Sequence, residues 1–187
     1  MKSAIIDAAR QVFLQYGFFK STMEDISKAV SKGKSSLYYY FKSKEEIFLI
    51  VVEEELKPIR EKIERILKSD ESPKHKVITY LKFRMEILQR LFDLYSKSRY
   101  EYLEHFAYIE DFRKKYDIEE CGIIVRLLED GQKRGVFNIT DVQLTSRALI
   151  SAVKGYEFPW VIEAGGIDIQ RKMETLIDIL FYGIMKR

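Results

Sequence analysis

Apolar residues return every three or four positions along most of the chain, the spacing of a buried helical face, and no useful stretch alternates with the period of two that a half-buried strand requires. The pattern predicts an all-α protein. From Lys2 to about Tyr16, Ile5, Ile6, Ala9, Val12, Phe13 and Tyr16 form one stripe, and Gly17 stands where a helix C-terminal glycine belongs. Thr22 and Asp25 have the spacing of a reciprocal cap for a short second helix ending near Val30. Gly33 interrupts the pattern, and Lys34 to Phe41 makes a third helix around Leu37, Tyr38 and Phe41. Ser43-Lys44-Glu45-Glu46 then opens a long helix to about Lys68, with acids in its first turn and Pro58 expected to kink it without ending it.

Beyond a polar connection, Ser72-Pro73 starts a fifth helix carrying Val77, Leu81, Met85, Leu88, Phe92 and Tyr95. The aromatic-rich stretch Tyr100 to Tyr116 reads as helix interrupted by a bend that periodicity does not locate, and helix resumes from Ile118 to Lys133, with Gly135 as its stop. Thr140 and Gln143 offer a reciprocal cap for a helix through Ala148, Ala152, Gly155, Tyr156 and Trp160, closed by Gly165-Gly166. A final helix is expected from about Asp168 to Met185.

Charge divides this helical chain. Residues 1–44 hold eight bases (Lys2, Arg10, Lys20, Lys28, Lys32, Lys34, Lys42, Lys44) against three acids (Asp7, Glu24, Asp25), whereas the rest is slightly acidic. A basic head on such a body points to a polyanion at one end, or else to a solvated basic face. The apolar run Ile47–Val52 is far shorter than the roughly 20 residues that span a bilayer. The first residues lack the continuous apolar stretch of a signal peptide, so a cytoplasmic protein with no membrane partner is expected. The single cysteine, Cys121, excludes an intrachain disulfide and suits a reducing compartment.

Two short helices joined by a tight turn and braced by a first helix form a helix-turn-helix unit. Its second helix must bury one face and offer the other: Leu37 and Phe41 are anchors four residues apart, leaving Lys34, Ser35, Ser36, Tyr39 and Tyr40 outward. Ammonium groups neutralise phosphates, hydroxyls reach phosphates and base edges, and aromatic edges meet thymine methyls or sugars. Ala8-Ala9 with Phe13, Tyr16-Gly17-Phe18, Ser21-Thr22-Met23, Asp25-Ile26, Ala29 and, above all, Ser36-Leu37-Tyr38-Tyr39-Tyr40-Phe41-Lys42-Ser43-Lys44-Glu45-Glu46-Ile47-Phe48 resemble the DNA-binding domain of the tetracycline-repressor (TetR) family. The resemblance covers about the first 48 residues; beyond them only length, helicity and Gly131-x-x-x-Gly135-x-Phe137 agree.

The resemblance implies a homodimeric regulator divided into a helix-turn-helix domain, residues 1–46, and a helical ligand-binding and dimerisation domain, residues 47–187. It also implies that Thr22, Lys34, Ser36, Tyr38 and Lys44 contact phosphates, while Ser35, Tyr39 and Tyr40 sit at base edges. One departure is visible: aligned on Leu37, Ser31 falls at the family's turn glycine, so the turn is expected to pivot at Gly33 instead.

In the second domain, Met85, Leu88, Phe92, Tyr95, Phe106, Phe112, Tyr156 and Trp160 serve either as plain core or as the lining of an effector pocket. Ala148, Ala152 and Gly155 form a small-residue stripe that, with Leu176 and Leu180 of the last helix, suits a four-helix dimer interface. His75 and His105 lack partners at metal-ligand spacing, and there is no nucleophile–base pair, phosphate loop or cysteine cluster, so neither metal, cofactor nor enzymatic activity is expected. The favoured reading is a repressor that leaves a pseudo-palindromic double-stranded operator when a small, mostly apolar effector binds. The competing one is a helical carrier or sensor of apolar molecules without a DNA role.

Overall fold

A computed structural model describes residues 1–162, 171, 175–179 and 181–183, and the described residues contain helices and no strand. In chain order the helices are α1 (Lys2–Tyr16), α2 (Met23–Ala29), α3 (Lys34–Tyr40), α4 (Lys44–Lys68), α5 (Pro73–Tyr95), α6 (Arg99–Glu104), α7 (Phe106–Lys133) and α8 (Val142–Ile162). Pro58 lies inside α4, which continues through it. Residues 175–179 are helical, whereas Gly165, Gly166 and half of the expected last helix lie outside the described residues.

The unplaced bend falls at His105, between α6 and α7, so that the expected Ile118–Lys133 helix is the second half of α7. Neither Gly nor Pro marks this break. Tertiary contact accompanies it: the His105 ring stacks on Phe19 with centroids 3.7 Å apart. The start of α6 does carry a local signal, because Ser98 accepts a hydrogen bond from the backbone N–H of Glu101 while Glu101 accepts one from the N–H of Lys97. Capping of α8 shifts by one residue: Asp141, rather than Thr140, accepts from the N–H of Leu144.

The chain folds as two compact units, residues 1–64 with 83–109, and residues 65–82 with 110–187. In the first, Phe48 of α4 joins the head to the rest of its unit, packing edge-on against Phe13 of α1 (5.2 Å), against Phe18 (4.3 Å) and against Tyr95 of α5 (4.9 Å). Fully buried rings in such geometries combine large area burial with favourable quadrupole alignment. Arg10 of α1 reinforces the same junction, pairing with Asp7, Glu54 and Glu55, and Glu55 pairs in turn with Arg90 of α5. The first three helices therefore share one core with parts of α4–α7, and this compact unit does not stop at the functional boundary expected after residue 46.

The second unit buries Val77 and Leu81 of α5, Ile124 and Leu127 of α7, and Val153 of α8. Its buried Lys76 ammonium lies 3.0 Å from Asp130 and donates to the Leu67 carbonyl, which supplies the pairing that a buried charge requires. Past the end of α7, the N–H groups of Val136 and Phe137 both reach the Gly131 carbonyl, and Gly135 takes the left-handed φ of 67°. A Cβ on Gly131 would lie 2.0 Å from the Phe137 ring. The Gly-x-x-x-Gly-x-Phe element is thus a helix stop in which one glycine makes the turn and the other makes room for the ring.

Candidate nucleic-acid interface

Residue chemistry builds the head outward from its caps. Thr22 Oγ1 accepts from the N–H of Asp25, and the Asp25 carboxylate accepts from the N–H of Thr22, closing the reciprocal cap at the start of α2. Between α2 and α3 the left-handed residue is Ser31, with φ of 54°. Gly33 has an ordinary φ of −68° as the N-cap of α3, so the pivot expected at Gly33 is corrected to Ser31. The left-handed position of this turn is thus held by a serine, which carries the strained backbone.

Helix α3 is sharply two-faced. Leu37 is fully buried and Phe41, its C-cap, is 1% exposed, while Tyr38 and Tyr39 are 53% and 80% exposed. Lys34 and Ser35 are also exposed, with Ser36 and Tyr40 half-buried, and the Tyr39 and Tyr40 rings meet edge-to-face at 4.9 Å. Two large phenols held out in water on a helix of seven residues form a surface that the fold itself does not use.

Residues 5–51 match the model of the family described as bacterial regulatory proteins, tetR family. Over 186 residues the chain is 25% identical to the HTH-type transcriptional regulator YhgD of Bacillus subtilis, covering 99% of this chain and 95% of that one. It is 24% identical over 185 residues to the fatty acid metabolism regulator protein of the same organism, covering 96% and 93%. The fold is shared with the transcriptional regulator FadR from Bacillus subtilis in complex with stearoyl-CoA, with a TM-score of 0.70, 23% identity, and 99% and 100% of the two chains covered. Residues 5–51 form a TetR-family head, and over its whole length the chain is similar in sequence to HTH-type transcription regulators.

Within this TetR-family head, the expected phosphate ligands are not equally available. The Lys44 ammonium donates to the carbonyls of Phe18 and Ser21, each at 2.8 Å, approaches that of Phe19 at 3.5 Å, and sits 4.4 Å from the Phe18 ring centroid. Burial pulls its pKa below the ordinary lysine value. Lys44 therefore latches the α1–α2 loop, the three donors of its ammonium converging there. Lys34 pairs with Glu24 at 2.7 Å, and Lys28 reaches the other oxygen of the same carboxylate at 3.0 Å. These hydrogen bonds, that from Lys34 foremost, pull the Glu24 carboxyl down to about 2. Thr22 is exposed, but its hydroxyl also donates to Asp25.

The residues expected to line an effector pocket divide between the units. Met85, Leu88, Phe92, Tyr95 and Phe106 belong to the first, Phe112 to the second, and the side chains of Tyr156 and Trp160 lie outside the described positions. Leu88 and Tyr95 are buried, and Phe92 contacts Tyr102 at 5.3 Å. An open groove of about 380 Å³ runs instead along α4, lined by Leu49, Ile50, Glu53, Glu54, Lys57 and Arg60, none of them among the expected residues. Of the expected dimer residues, Ala148 and Gly155 are exposed, Ala152 is half-buried, Leu176 is buried, and Leu180 lies outside the described residues.

Among the described residues, no group of three or more His, Cys, Asp or Glu is arranged to hold a metal, and no helix is long and apolar enough to cross a membrane.

Proposed function

We propose that this protein is a non-enzymatic cytoplasmic homodimeric TetR-family repressor that occupies a pseudo-palindromic operator and leaves it when a small, mostly apolar effector binds. The observation that carries the DNA half of the reading is the two-faced α3: Leu37 and Phe41 fix the helix to its core while Tyr38 and Tyr39 stand in water. A helix so placed can enter a major groove without unfolding anything. Ser35, Ser36 and Tyr40 extend this face, and residues 1–46 are the domain that carries it.

Support for a dimer comes from α8. Leu144 is 65% exposed, and Ala148 and Gly155 continue outward as small residues, a smooth apolar strip that a two-fold mate would cover. The effector class rests on similarity to the fatty acid metabolism regulator and on FadR with stearoyl-CoA, and on the apolar and aromatic side chains of α5–α7. A long-chain acyl thioester is accordingly the first effector to try. Ligand binding weakens DNA binding only if the ligand prefers a state in which the two heads are wrongly spaced. Docking in successive major grooves needs recognition helices about 34–36 Å apart, so a change of a few ångströms abolishes simultaneous contact. Helix α4, which carries Phe48 under the head and runs on through Pro58, is the lever we assign to this change.

The test is a gel shift with footprinting on the DNA upstream of the protein's own gene, at two salt concentrations, with and without stearoyl-CoA. A protected pseudo-palindrome released by the thioester is the expected result. Absence of binding both there and in a selection from random duplexes would refute the operator reading and favour a carrier.

A further inference from the structure

Eight cations give the head its charge, and the structure separates those engaged inside it from those left over. Arg10 is held by Asp7, Glu54 and Glu55, Lys44 by backbone carbonyls, and Lys28 and Lys34 by Glu24. Lys20 lies 3.7 Å from the buried Glu101, and the Lys2 ammonium sits over the Phe41 ring at 5.6 Å. The remaining two are Lys32 and Lys42. Both are exposed, and neither ammonium has a hydrogen-bond, ion-pair or ring partner among the described residues.

Their positions are not arbitrary. Lys32 stands two residues before the first residue of α3 and Lys42 two residues after its last. Each backbone is pinned, the N–H of Lys32 by the Ser27 carbonyl at 3.0 Å and the N–H of Lys42 by the Glu46 carboxylate at 2.7 Å. Seven helical residues rise about 10 Å, close to the roughly 12 Å width of the major groove. Cations anchored just beyond both ends of a helix that fills the groove are placed to meet the phosphates that wall it.

Resting on the reading of α3 as the groove-binding helix, we propose that Lys32 and Lys42 are the principal phosphate-neutralising residues of the head, in the role that the family resemblance implied for Lys34 and Lys44. Lys34 contributes less because releasing it leaves Glu24 near the backbone of the DNA with half its countercharge gone. Lys32 and Lys42 give up no partner on binding, so each phosphate contact they make releases its counterion in full.

Binding of a short fluorescent duplex of random sequence, followed by anisotropy from about 50 to about 200 mM salt, tests this directly because non-specific affinity is governed by released counterions. The full-length parent, Lys32→Gln/Lys42→Gln and Lys34→Gln are compared, with melting temperature as a check that all are equally folded. The double variant is expected to lower the slope of log K against log salt by about 0.9 per lysine in each head, equivalent to losing about 3.5-fold salt sensitivity per lysine across that range. Lys34→Gln is expected to move the slope by less than half as much as one of these lysines. An unchanged slope in the double variant, or an equal fall in Lys34→Gln, overturns the assignment while leaving DNA binding intact. A parent that binds no duplex, or binds without salt dependence, overturns the groove-binding reading itself and the assignment with it.

Discussion

Gly17→Ala tests how the head is fixed to its unit. Gly17 ends α1 with φ 80° and ψ 157°, a region essentially confined to glycine, and its backbone passes against the end of α5. A Cβ there would lie 3.1 Å from the Ser96 Cα and 3.1 Å from the Tyr95 carbonyl oxygen, both backbone atoms that cannot rotate away. The strained conformation alone costs about 1–3 kcal/mol for a residue with a side chain. Relieving the clash shifts the loop away from α5, endangering the hydrogen bonds from the Phe18 N–H to the Leu94 and Tyr95 carbonyls at 2.9 and 3.0 Å, of which even one contributes about 1 kcal/mol net. The expected loss is about 3 kcal/mol, or roughly 6–12 °C in melting temperature for a chain of this size. Thermal unfolding followed by far-ultraviolet circular dichroism reads it. Gly33→Ala is the control, because Gly33 has an ordinary φ and its added Cβ would meet only Ser35 Oγ, at 3.8 Å. That variant should differ from the parent by less than about 1 kcal/mol, the scale of an exposed glycine exchange. Equal losses in the two variants, or a Gly17→Ala protein melting within 2 °C of the parent (about 1 kcal/mol or less), would refute the argument.

Ser31→Gly should raise stability by up to about 1 kcal/mol, the relief of a left-handed residue outweighing the added freedom of the unfolded chain; a lower urea midpoint would contradict it. Gly131→Ala, which drives a Cβ into the Phe137 ring, should lower the melting temperature by several degrees, on the scale of about 1–3 kcal/mol for overpacking, and Gly131→Ala with Phe137→Leu should recover part of that loss. Glu24, lowered to about 2 by Lys34 and Lys28, gives stability that is present above its usual value of 4.5 and disappears as pH falls toward 2. The parent's melting-temperature advantage over Glu24→Gln should accordingly be full at neutral pH and vanish near pH 2, and a constant difference across that range would show that the ion pairs are not its source. Tyr39→Ala should weaken operator binding at least tenfold while leaving the melting temperature unchanged, since the ring is 80% exposed; unchanged affinity in a footprint titration would remove Tyr39 from the interface.

Much of the fold was legible because its signals are local. The Thr22–Asp25 cap, the glycine after α1, the Ser72-Pro73 start and the Leu37/Phe41 anchors each act within one turn of helix, and the structure keeps them all. The break at His105 was not legible, since no residue there opposes helix and the ring contact that accompanies it comes from Phe19, 86 positions earlier in the chain. Ser31 misled for a related reason: a turn that demands positive φ normally displays glycine, and the nearest glycine two residues on drew the pivot toward itself.

The lysines show where reading charge from sequence breaks down. Eight bases against three acids describes a basic head, but phosphate binding depends on which cations still need a partner, and that is decided by residues distant in the chain. Glu54 and Glu55 are more than forty positions from Arg10, and the carbonyls that hold Lys44 are more than twenty positions before it. The family resemblance marks Lys34, the first residue of α3, and Lys44, the first of α4, as DNA ligands, yet Lys44 latches a loop and Lys34 joins α2 to α3. On the proposed assignment of the phosphate contacts to Lys32 and Lys42, Lys34 and Lys44 serve operator affinity chiefly through the shape of the head. If so, Lys44→Gln should weaken operator binding and lower the melting temperature together while scarcely changing the salt slope. A direct phosphate ligand would instead change the slope by about 0.9 with stability intact, so measuring both quantities on one variant decides between the two roles.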